Sequence, residues 1–246
     1  MLNVGINQDF NFASGAAVSL TNAGAITALN NSDLQLLGMV SNTGSITIAS
    51  TGNQTDLEVA VGGATLTGGG TVTLTGTFAG INDASGTQTL TIADQTIQGE
   101  GSIGRNTADF NNQGNLIHAN VNGATLVLDA VNIFTNTGTL RASNGGTLEL
   151  RDAGVGDFVN AGGLIEALAD STVVLTNNAR VVGGVLSTTG NGLIRTPSSQ
   201  DTELENLTHS GTYVGENNSD TRITGTITNT GSITIASTGN QTDLEV

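Results

Sequence analysis

Apolar and polar residues alternate at period two in short runs along most of the chain. Examples are Ser45-Ile46-Thr47-Ile48, Thr71-Val72-Thr73-Leu74-Thr75, Thr89-Leu90-Thr91-Ile92, Thr125-Leu126-Val127-Leu128, Thr147-Leu148-Glu149-Leu150 and Thr172-Val173-Val174-Leu175. Side chains on a strand point alternately to its two faces, so each run predicts a strand of about four to six residues with one buried face. The Thr, Ile and Val content of these runs suits extended backbone. No stretch joins a capping residue to a helical apolar period of ordinary length, and helix content is expected near zero.

The runs keep a register. Phe110, Phe134 and Phe158 recur at one even interval, and in step with them stand Asn112, Asn136 and Asn160, then Gly114, Gly138 and Gly162, then Leu116, Leu140 and Leu164. Further Asn-x-Gly triplets begin at Asn22, Asn42 and Asn229. Above this period lies a longer one: the segment 42–59, NTGSITIASTGNQTDLEV, returns identically at 229–246, so that Asn42 maps onto Asn229. The match extends backwards at lower identity, through Asn30-Asn31-Ser32-Asp33 against Asn217-Asn218-Ser219-Asp220 and Gly24 against Gly211. At about 23 residues per short period, the long unit amounts to roughly eight turns. The chain therefore reads as a single domain, with one long repeat over about 1–187 and the start of the next over about 188–246. Because the second copy stops at Val246, where the first continues Ala60-Val61-Gly62-Gly63, the expectation is a fragment of a longer protein.

Short strands at regular spacing suit either an antiparallel sandwich or a parallel solenoid. Only the solenoid gives identical residue types a reason to recur at one spacing, because each turn lies on its predecessor about 4.8 Å away and equivalent side chains stack. The expected fold is all-β: a right-handed parallel β-helix (β-solenoid) of about ten turns of 20–25 residues, roughly 50 Å long. In such a fold Leu, Ile, Val and Ala fill a thin core, and the three Phe form an internal ring stack at one corner. Asn and Gly take the corners, where Gly serves positive φ and stacked Asn side chains hydrogen-bond along the axis.

Composition narrows the function classes. Only 11% of residues are charged, against about a quarter in an average domain, and Asn, Thr, Ser, Gln and Gly supply the polarity instead. The net charge is −15 and Lys is absent, which argues against nucleic acid and anionic lipid surfaces, both bound by neutralising negative charge. There is no cysteine, so disulfide frameworks, thiolate metal sites and thiol nucleophiles are excluded. No window is long and apolar enough for a membrane span, and MLNVGINQDFNFAS lacks the basic and apolar regions of a signal peptide. No membrane insertion by this segment is expected.

The phrases NTGTLRASNGGTLELRD and NAGGLIEALADSTVVLTN resemble the passenger repeats of secreted bacterial parallel β-helix proteins, the autotransporter passengers and filamentous-haemagglutinin-like adhesins. The resemblance is best over 109–186 and looser elsewhere. Its matching residues are scaffold: Asn136, Gly138, Leu140, Gly145, Gly146, Leu148 and Leu150. It implies export, an extracellular or bacterial cell-surface location, and adhesion to glycans or host and cell-surface material; no family catalytic residue maps onto this chain.

Candidate chemistry is sparse, and no catalytic residue, cofactor or metal ligand is assigned. β-Helices also include polysaccharide lyases and hydrolases, which work through carboxylates at a set separation or a base beside an acidic group. The best candidate is Asp201, Glu203 and Glu205, alternating along one predicted strand with Arg195 and Arg222 nearby in sequence. One long repeat earlier stand Ser14, Ala16 and Val18, so the cluster does not belong to the repeating unit and is read as a solvated face rather than a weak cation or catalytic site. His118 and His209 fall about four turns apart, too far to share a site, and are read as exposed strand or corner residues. With Tyr213 the sole tyrosine and no Trp, no aromatic sugar platform can form. Gly68-Gly69-Gly70 and Gly99-Glu100-Gly101 open no helix and precede no Lys, which rejects a phosphate loop. The expected function is a structural and adhesive rod, non-catalytic and prone to end-to-end self-association through open sheet edges. The alternative is a polysaccharide-degrading enzyme, and a third reading is an ice-binding solenoid, against which the Thr pairs fail to hold one register.

Overall fold

The computed structural model describes residues 2–5, 8–9, 19–83, 85–152 and 157–246; Ser14, Ala16 and Val18 lie outside the described residues. The chain is all-β, a parallel β-solenoid of about ten turns, with no helix among the described residues. One turn shows the plan. Leu116–Ala119 lies on face 1, Thr125–Leu128 on face 2 and Ile133–Asn136 on face 3, and Thr139–Ala142 returns to face 1 paired with Leu116–Ala119. Among the described residues face 1 is a sheet of 11 strands. Faces 2 and 3 join into one sheet of 19 because Asp33–Asn42 and Thr55–Thr67 run through the corner between them, with a register shift between Leu36 and Gly38. Turn length is less uniform than expected: paired residues lie from 19 positions apart, at Ile194 and Tyr213, to 26, at Ser45 and Thr71.

The period-two alternation places every second side chain in the core. On face 1 the inward column is Ile26, Ile46, Val72, Ile97, Ile117, Leu140, Ile165 and Leu186, all buried. Each such side chain contributes about 1.5–3 kcal/mol relative to exposure. On face 3 Phe110, Phe134 and Phe158 stack with centroids 5.5 and 5.7 Å apart, continued by Leu90 on one side and Val181 on the other. These rings sit within the face 3 strands rather than at the expected corner. The reason is spacing: each Phe precedes by two residues the Asn that takes the next inward position, where the strand ends.

That inward Asn builds the corner. Asn112 Nδ2 donates to Asn136 Oδ1, and Asn136 Nδ2 to Asn160 Oδ1, both at 2.7 Å. A second ladder starts with Asn22 Nδ2 donating to Asn42 Oδ1 at 2.8 Å. The following rung has Gly68-Gly69-Gly70 and no amide to offer. Gln95 from one turn further on reaches across it, accepting from Asn42 Nδ2 at 2.7 Å and donating to Asn42 O at 2.9 Å. A Cβ on Gly70 would stand 2.5 Å from Asn42 O, so the glycine run clears the way for the glutamine. Within the triplets, Gly114 and Gly162 take positive φ, whereas Gly138 is required by contact, since its Cβ would lie 2.2 Å from Asn115 O.

Candidate functional site

The strand Asp201–Glu205 on face 3 points Asp201, Glu203 and Glu205 outward, as its alternation predicts. Stacking then gives Glu203 neighbours that are remote in sequence. Asp157, Arg180, Glu203, Arg222 and Glu245 follow one another in register, a column of alternating sign along the axis. Arg180 Nη1 lies 2.6 Å from Asp157 Oδ2 and its Nε 3.3 Å from Glu203 Oε1, while its Nη2 pairs with Glu205. Burial opposes the guanidinium charge, but the hydrogen bond to Glu205 and the charges of Asp157, Glu205 and Glu203 outweigh it and push the Arg180 pKa up.

Of the two arginines expected nearby, Arg222 stands in register with Glu203 and Arg195 does not. Arg195 lies on face 2, bound to Glu216 at 2.7 Å. A shallow groove of about 260 Å³ does bring Asp201, Glu203 and Arg222 together with Asp220 and Glu245, but it includes neither Glu205 nor Arg195. Glu203 Oε1 also accepts from Thr224 Oγ1 at 2.8 Å. The arrangement is an axial ion-pair ladder on a strand face. It holds adjacent turns in register, with carboxylate oxygens committed to Arg180. Among the described residues no group of three or more His, Asp or Glu side chains is placed to hold a metal ion.

The histidines are four turns apart on face 1, as their spacing predicts, but they stand on opposite sides of the sheet. His118 is half-buried on the outer side, its Nε2 2.6 Å from Ser143 Oγ. Burial, then the adjacent Arg141, push its pKa down, against a smaller pull upward from Glu166. His209 corrects the expectation of exposure: it is 1% exposed and continues the inward column after Leu186. The long repeat supplies the reason, because the offset that carries Asn42 onto Asn229 also carries Asn22 onto His209, which inherits its place in an amide ladder. Its Nδ1 lies 2.8 Å from Asn229 Oδ1, where Asn22 meets Asn42 in the first copy. Beside it Tyr213 is fully buried, its hydroxyl bonded to Thr196 and Thr221, and burial pushes the phenol pKa up.

A second acidic group escaped the sequence reading. On face 2, Asp33 and Asp56 are in register, and Glu58 lies between Gln35 and Asn82. Arg105 Nη2 lies 3.2 Å from Asp56 Oδ1, and Asp56 Oδ2 accepts from Gln54 and Asn82. Among the described residues Glu58 has no such cation. Burial, then the charges of Asp33, Asp56, Asp9 and Asp83, push its pKa to about 7. A carboxyl that holds a proton near neutral pH can donate or accept one there. The available signal was the spacing of Asp33 to Asp56, one turn apart, with Glu58 two positions further on.

The pKa shift sets a sign for stability. With a folded pKa of about 7 above the ordinary 4.5, Glu58 takes up a proton on folding between those values. The stability that Glu58 contributes is therefore greatest below about 4.5, falls as pH rises through about 7, and is level above it. Asp33 and Asp56, also raised by burial, act in the same direction at lower pH, whereas the hydrogen-bonded Asp83 is lowered and its contribution is lost only in stronger acid. With half-exposure discounted, the Glu58 effect is about 1–2 kcal/mol. Unfolding free energies from urea titrations at about pH 4.5 and pH 8 should differ by that amount in the parent and by much less in Glu58→Gln. Equal differences in the two proteins would refute the assignment.

Thr residues keep register on face 1 for three turns, Thr27, Thr47 and Thr73, before Gln98, His118, Arg141 and Glu166 replace them. Fold and surface together define a parallel β-solenoid whose polar and charged side chains form axial ladders. Beyond that class the comparisons add nothing: no family model matches the chain, and neither a curated protein nor a solved structure matches it.

Proposed function

We propose that the chain is a structural and adhesive rod, a non-catalytic segment of a repetitive exported protein on a bacterial surface. The observation that carries this reading is axial continuity. Inside, amide and ring stacks link turn to turn; outside, the charges on face 3 form a ladder centred on Arg180. Such a body resists bending because every turn is bound to the next by backbone, core and surface contacts together. Its uncharged Asn and Thr faces offer shallow hydrogen-bonding contacts to glycans or host and cell-surface material, and its open strand edges favour end-to-end contact between rods.

The test is a panel of polysaccharides and host-matrix material, scored for retention of the purified chain and for release of cleaved product. Retention without release is expected, unchanged in the Glu203→Gln/Glu205→Gln double variant. Release that disappears in the double variant would replace this reading with a polysaccharide-cleaving enzyme. Neither retention nor release would restrict the segment to a stalk.

A further inference from the structure

The two copies of the long repeat do not occupy the same faces. In the first copy Ala25–Ala28 and Ser45–Ala49 are face 1 strands, paired Thr27 to Thr47. Their counterparts in the second copy, Thr212–Gly215 and Ser232–Ile235, are face 2 strands, paired Val214 to Thr234 and stacked on Leu193–Thr196. Asp33 and Asp56 belong to face 2, whereas Asp220 and Asp243 belong to face 3. Asn42 closes a face 3 strand, whereas Asn229 pairs with His209 on face 1. Every comparison moves by one face in the same direction.

Local structure is nonetheless copied bond for bond. Asn30 Oδ1 accepts from Thr51 N and Asn53 N at 2.8 and 3.0 Å, and Asn217 Oδ1 accepts from Thr238 N and Asn240 N at 2.8 and 3.1 Å. Gln54 donates to Asp56 at 2.6 Å and Gln241 to Asp243 at 2.6 Å. Gly52 and Gly239 share a φ of 143°, and Gly38 and Gly225 have φ of 68° and 66°. The corners are thus interchangeable to this sequence. Turn lengths between the copies, not the local residues, decide which face a copy meets.

We infer that the long unit advances the solenoid by eight turns and one face, so that each copy presents the same surface about a third of a revolution from the last. The consequence for the partner rests on the adhesive reading; the phase itself does not. A ligand of the surface formed by 42–59 meets it again, at 229–246, pointing in another direction. A rigid flat partner, such as a crystal face, engages one copy at a time, and the fitting partner is a flexible polymer chain able to follow the surface round the rod. Three units at this spacing would complete a whole number of turns and return the surface to its first face.

The absence of cysteine makes the phase directly measurable with paired nitroxide labels. Ser187 and Ser210 are outward neighbours on face 1, about 5 Å apart at the backbone. If the copies were in phase, Val214 would take the place of Ser210 beside Ser187, because Val214 is the counterpart of Thr27. Strong spin–spin broadening is expected for Ser187→Cys/Ser210→Cys and weak broadening for Ser187→Cys/Val214→Cys, in proteins whose circular dichroism matches the parent. Reversed intensities, or weak broadening in both pairs, would overturn the inference. No ligand enters this measurement, so its outcome is independent of the retention assay.

Discussion

Phe134→Ala is expected to destabilise the protein by about 3–5 kcal/mol, the usual range for deleting a buried aromatic ring. The ring is the middle one of three, 1% exposed, with Phe110 and Phe158 on either side at 5.5 and 5.7 Å. Its loss leaves both neighbours facing a void that a narrow core cannot close by shifting one strand. In a one-dimensional stack the lesion also weakens the interface between two halves of the solenoid. Tyr213, the sole tyrosine, reports on the C-terminal turns, whereas circular dichroism reports on all of them. In urea the parent should give coincident transitions by the two probes and the variant separated ones. Coincident transitions with a loss under about 1 kcal/mol would mean that the stack contributes little.

The second large effect is expected at Asn136, through polarity rather than volume. Its amide accepts from Asn112 Nδ2 and Gly138 N and donates to Asn160 Oδ1 and Gly138 O. Asn136→Ala strands a buried donor below and a buried acceptor above, at a cost of about 2–4 kcal/mol. Asn136→Asp is the sharper probe. A carboxylate still accepts from Asn112 but meets the Asn160 oxygen with no proton, so the loss at neutral pH should match or exceed that of alanine. In acid the protonated acid can donate again, and part of the stability should return. Urea titrations of both variants at about pH 4.5 and pH 7.5 test this, and an aspartate variant whose response to pH is no larger than that of the alanine variant would remove the ladder's claim.

Most of the fold was legible because a solenoid writes its geometry into spacing. Evenly spaced Phe, each with Asn two positions later, predicts a ring stack and an amide ladder, and both exist. What failed were inferences that treat nearness in sequence as nearness in space. Arg195 is the cation closest to Glu203 and Glu205 along the chain, yet it lies on face 2 and the ion pairs go to Arg180, one turn earlier, while Arg222 does stand in register with Glu203. A lone His reads as exposed because its type suggests it, although the long-repeat offset already places His209 on Asn22. The phase between copies is lost in rounding, since an average turn length hides a spread of 19 to 26. The acidic neighbours of Glu58 could be placed by spacing, but its titration could not, because that depends on how far neighbouring turns screen it from water.

The same spread carries a kinetic meaning. Among the described residues no strand pairing joins positions more than 26 apart, so closing each rung confines only one short loop. Loops of this length cost little more from one rung to the next, and each finished rung supplies the hydrogen-bonding edge on which the next condenses. A polypeptide delivered from one end, residue after residue, needs nothing still to come in order to begin folding. The molecule can grow as a zipper at the pace of its own delivery.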